Sequence, residues 1–91
     1  MREQKEYFVE FADTFGGEAN YSWCQRFKVS AASKLGAVQK LSRHVGVNWR
    51  KEYDIPDLNE TTKYKARRHC LALFVSSWDD DMHSHYRVEA I

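Results

Sequence analysis

The sequence predicts an α+β fold: an antiparallel sheet of four to five strands, ordered β-β-α-β-β, with one helix packed on one face. Three observations predict it. Tyr21, Trp23, Phe27, Val29 and Ala31 alternate with Ser22, Cys24, Arg26, Lys28 and Ser30, a period of two. Leu35, Val38, Leu41 and Val45 recur three or four residues apart, a helical stripe. Cys70 to Val75 is an unbroken apolar run that fits a strand covered on both sides.

The elements follow in order. Tyr7-Phe8-Val9-Glu10-Phe11 is aromatic and β-branched, and reads as a first strand. Gly16-Gly17 supply the positive φ angles of a hairpin turn into the second strand. That strand puts aromatic side chains on one face and Arg26 and Lys28 on the other, with Gln25 the one polar residue on the apolar side. Ser30 or Ser33 can cap the following helix, and Gly46 can end it in the left-handed conformation. Arg43 and His44 stand in its last turn, where the dipole favours positive charge. Gly36 costs about 1 kcal/mol against Ala inside a helix, and close packing on the sheet is the expected reason for it.

Val47, Trp49, Tyr53 and Ile55 alternate with polar residues and form a third strand; Asp54 to Thr62, with Pro56 and Asn59, reads as a loop. The run at Cys70 has a helical rival, since Leu71, Phe74, Val75 and Trp78 would also line one helix face. Lys63, Lys65 and Arg67 at such a helix's start and Asp79–Asp81 at its end would oppose the dipole, so a strand is expected. Tyr86, Val88 and Ala90 can add a short fifth strand. One helix covers one sheet face, so the face carrying Arg26 and Lys28 is expected to be solvated, or covered by a partner.

Ninety-one residues make a single domain with one modest core. No stretch has the roughly 20 apolar residues of a membrane span. Met1 to Glu6 is almost wholly polar, so no secretory signal is expected and a cytoplasmic location is. Cys24 and Cys70 are expected to be small buried hydrophobes. Fourteen Lys and Arg balance 13 Asp and Glu, which argues against both an acidic DNA mimic and a histone-like binder. The charges are sorted, however: Tyr21 to Lys51 holds seven cations and no acid.

Chemistry is sparse. His69-Cys70 cannot share a metal in a strand, and His83, His85 and Asp81 make at best a weak chelator, so no metal or other cofactor is expected. Cys24 with His44, or Cys70 with His83, has no supporting spacing, and no nucleotide-binding, hydrolase or metalloprotease motif occurs. A binding role is expected instead of catalysis. The candidate partner-binding residues are Arg26, Lys28, Lys40, Arg43 and Arg50, with the acidic run Asp79, Asp80 and Asp81. The cations suit a nucleic-acid face with Trp49 and Tyr64 nearby for stacking. Phe8 and Trp78 are candidate exposed anchors, while Tyr21, Trp23, Phe27, Trp49 and Tyr53 are expected in the core. An open sheet face would also allow a homodimer.

Phe15 to Trp23, Ser33 to Val38 and Cys70 to Val75 together resemble small proteins of bacteriophages and integrated mobile elements, over roughly Tyr7 to Val75. Some proteins of that kind are anti-CRISPR proteins. The resemblance therefore implies an accessory protein that binds a bacterial defence protein or nucleoprotein complex and inhibits it. It carries no site residues with it. A partner with basic channels would be met by Glu3, Glu6, Glu10 and Asp13, or by Asp79–Asp81.

Overall fold

The computed structural model describes residues 3–15, 18–56, 60–68 and 70–91, giving the backbone alone for 13–15 and 18–24. The chain folds as α+β, with six strands in one sheet and two helices. In chain order these are β1 (Lys5–Phe15), β2 (Glu18–Ala31), α1 (Lys34–Val45), β3 (Trp49–Ile55), β4 (Thr61–Ala66), β5 (Leu71–Ser77), α2 (Asp80–His83) and β6 (Glu89–Ala90). Across the sheet the order is β3-β4-β5-β1-β2-β6. All neighbours are antiparallel except β6, which runs parallel to β2. No helix among the described residues is long and apolar enough to cross a membrane.

The expected β-β-α-β-β core is present, and residues 71–77 form a strand, not a helix. Three details differ. Thr61–Ala66 is an additional strand: β3 and β4 form a hairpin where a longer loop was expected, and Thr62 Oγ1 ties its arms by donating to Asp54 Oδ1 at 2.8 Å. The last strand is only two residues long and parallel. A second helix of one turn follows β5. The Gly16-Gly17 turn lies outside the described residues.

α1 covers one face, burying Ala37, Val38 and Leu41 against Tyr7, Val9 and Phe11 of β1, Phe27 and Val29 of β2, and Leu73 and Val75 of β5. Tyr64 and Trp49 extend this core towards β3. Leu35, expected in the helix stripe, is 57 % exposed because Ala37 and Val38 carry the contact instead. Ser33 caps α1, its Oγ accepting from Gly36 N at 3.1 Å, and Gly46 ends it at φ 73°. Tyr53, expected in the core, is exposed: the register shift between Lys51 and Tyr53 breaks the alternation that would have turned it inward. Cys70 is a free exposed thiol, since it precedes β5 and does not enter it; Cys24's side chain is not described.

Over β1 and β2 the opposite face is covered by the chain itself. Beyond β5, residues 78–91 cross over β1 and β2 and dock on β2's outer edge, where Ile91 N donates to Lys28 O at 2.9 Å. Phe8, expected as an exposed anchor, is buried under this strap. His83 stacks on it at 4.0 Å between centroids and 9° between planes, with Tyr86 at 5.5 Å and Trp78 at 5.9 Å.

The two helix glycines separate propensity from geometry. A Cβ at Gly36 would meet Ala31 Cβ at 3.4 Å, an ordinary contact, while one at Gly46 would meet nothing but stands at positive φ. Gly36→Ala is therefore expected to stabilise the fold by up to about 1 kcal/mol. Gly46→Ala should cost about 1 kcal/mol. Denaturant unfolding of both variants checks the opposite signs.

Candidate functional site

The eight charged residues singled out in the sequence do not form one surface. Arg26 and Lys28 lie on the strap-covered face. Arg26 Nε donates to Glu10 Oε2 at 3.1 Å, and its guanidinium lies 4.7 Å from the Tyr86 ring centroid. Lys28 Nζ is 3.2 Å from Glu6 Oε2 and 4.6 Å from the centroid of Trp78. Their neighbours β1 and the strap thus satisfy both charges, and the face expected to be solvated or given to a partner is partly filled from within. Burial pushes the Glu10 carboxyl up, with the Arg26 hydrogen bond and charge pulling the other way.

Lys40, on α1, donates to the backbone carbonyl of Ser30 and so ties the helix to β2. The acidic run is partly spent on local structure as well. Asp79 caps α2, accepting from Asp81 N at 2.9 Å. Asp80 accepts from the Trp78 indole at 2.6 Å. His83 Nδ1 accepts from Asp79 N at 3.0 Å and the ring is turned inward, so it does not join His85 and Asp81 around a metal. Among the described residues no three His, Cys, Asp or Glu side chains cluster as metal ligands. Cys70 and His83 sit beyond opposite ends of β5, too far apart to act as a pair.

Arg43 and Arg50 remain without an acidic partner among the described residues, and the fold gives them company. Arg50 stands directly across the β3–β4 ladder from Lys65. Arg67 N donates to Asn48 O at 3.0 Å, extending the pairing beyond both strands. A shallow depression of about 670 Å³ is lined by Arg50, Lys51, Tyr53, Lys65 and Arg67, with Glu52 the acid among them. Glu52 is taken by Lys63 at 3.0 Å, and Lys51 by Asp54 at 3.3 Å. Arg50, Lys65 and Arg67 have no ion pair among the described residues.

Like charges facing each other across an antiparallel ladder cost up to about 1 kcal/mol. An anion seated between Arg50 and Lys65 would reverse that sign. Tyr64, expected beside the cations as a stacking surface, is buried in the core, so Tyr53 is the exposed aromatic here. In the sequence Lys65 and Arg67 stand with Lys63 and Arg68 as a second basic run. Only the pairing of β4 with β3, which the sequence pattern does not announce, brings them to Arg50.

Compared with known families, curated proteins and solved structures, the chain matches no family model, no curated protein and no solved structure.

Burial holds the His83 imidazole below the ordinary histidine range, against the pull of Asp79. The unfolded chain then takes up the proton more readily than the folded one. Stability from the neutral ring is therefore complete above the unfolded pKa of about 6.5 and declines as pH falls through it. Glu10, raised in the folded state, works in the opposite sense. The melting temperature is expected to drop from pH 7.5 to pH 5.5, and to drop less in His83→Phe. Equal drops by circular dichroism would mean that His83 does not titrate on unfolding.

Proposed function

We propose that this chain acts by binding, not by catalysis, and that the β3–β4 corner holds the phosphate backbone of a nucleic acid. The carrying observation is the Arg50–Lys65 pair, opposed across the ladder with Arg67 beside it and, among the described residues, no acid paired with any of the three. Phosphates supply the missing charge, and several closely spaced cations on one strand pair suit a polymer better than a lone carboxylate. Net charge near zero keeps the attraction local to this corner.

The resemblance to phage and mobile-element proteins gives this surface a biological setting. A protein that inhibits a bacterial defence nucleoprotein complex can do so by holding the nucleic acid that the complex displays. In that setting the protein is a cytoplasmic inhibitor, and the corner is where it engages its target.

Fluorescence anisotropy with a labelled oligonucleotide tests the reading. Arg50→Glu with Lys65→Glu is expected to weaken binding by at least about tenfold and to lower the salt slope by about two. Unchanged affinity in a variant that folds normally would exclude the corner. Affinity purification from bacterial lysate, with and without nuclease, tests the setting: a defence complex whose capture needs its nucleic acid is the expected result.

A further inference from the structure

Around Arg67 the surface turns onto the helix side of the sheet. There a second open groove of about 680 Å³ runs between α1 and the β3–β4 pair. Leu35 and Val38 form its helix wall, Trp49 and Tyr64 its sheet wall, and Arg43 and Arg67 bring its cations. Because Arg67 lines both hollows, the groove continues the cationic corner.

Two features bear on what it holds. Arg43 and Arg67 have no acidic partner among the described residues, so the complement is an anion. Leu35 is a large aliphatic side chain left 57 % exposed beside them, which suits a flat apolar surface. A nucleobase offers an apolar face next to a phosphate, matching Leu35 beside Arg43 and Arg67; an aliphatic peptide side chain offers no charge. The volume falls within the roughly 300–1,000 Å³ of small-ligand sites.

We propose, resting on the phosphate-binding role of the β3–β4 corner, that this groove receives an unpaired nucleobase and makes the protein selective for single-stranded nucleic acid. A strand laid along Arg50 and Lys65 passes Arg67 and turns a base into the groove, with Arg43 on the following phosphate. A duplex satisfies the corner but has no free base face to offer the groove.

The test is anisotropy on the full chain with a labelled 12-nucleotide single strand and its duplex. Single strand is expected to bind about tenfold tighter or more. Leu35→Ser with Arg43→Gln, both exposed positions, should cost the single strand about tenfold and the duplex no more than about threefold. Arg50→Glu with Lys65→Glu should weaken both. Equal affinity for the two forms, or groove variants that leave single-strand binding intact while the corner variant weakens it, would overturn the groove and leave the corner standing. No binding of either form in low salt would overturn both.

Discussion

The structure turns on β1 being buried on both faces. Tyr7, Phe8 and Val9 are consecutive, so they point alternately to the two sides of the sheet, yet all three are at most 6 % exposed. A single helix can meet only the side of Tyr7 and Val9. Phe8 requires a second cover, and the chain provides it by carrying residues 78–91 back over β1 and β2. The strap explains several otherwise separate facts. Asp79 caps its one helical turn, Asp80 holds Trp78, His83 presses flat on Phe8, and Arg26 and Lys28 bridge β1's acids to the strap's rings. These charged residues work as fasteners for an aromatic layer, where partial burial makes paired charges and cation–π contacts worth more than at an open surface.

That assignment separates the two basic sets of the sequence. The cations of β2 have acids on the neighbouring strand: Glu10 stands directly opposite Arg26, and Glu6, opposite Ser30, reaches Lys28 diagonally. At the β3–β4 corner Arg50 and Lys65 face each other. The strap's reach ends on β2's edge, so the far end of the sheet receives neither its covering nor its acids. The same topology that completes the core thus leaves one corner electrostatically incomplete.

Much of the fold was legible in the sequence, because alternation and helical spacing report burial directly. The stripe Val38–Leu41, the cap at Ser33, the stop at Gly46 and the strand at Leu71–Ser77 are all local patterns. What was not legible depended on contacts distant in sequence. Phe8 reads as outward-facing from the period of β1 and is outward-facing from the helix; only the returning strap buries it. His83 reads as part of a polar tail, and nothing within four residues of it announces an aromatic partner in β1. Thr61–Ala66 has Tyr64 as its one large apolar residue, between Lys63 and Lys65, a short pattern that becomes a strand through pairing with β3 on one side and β5 on the other. Arg50 was singled out as a basic residue, but its neighbours Lys65 and Arg67 come to it through that hairpin.

A simpler account of the corner is that an end strand needs charge to discourage pairing with another sheet, and β3, with Arg50, Lys51, Glu52 and Asp54, has it. The register shift between Lys51 and Tyr53 serves the same purpose by bending the edge. Edge protection accounts for β3, but it does not account for β4. Lys65 lies one strand inward, between β3 and β5, and Arg67 lies past the end of the ladder; neither guards an edge. Protection works equally well with charges of mixed sign, as Lys51–Asp54 and Glu52–Lys63 show by pairing within the hairpin. A like-charged pair across the ladder costs stability that a mixed pair would not. The excess positive charge at this corner is therefore what edge protection leaves unexplained, and an anionic partner is the physical condition under which that cost becomes a gain.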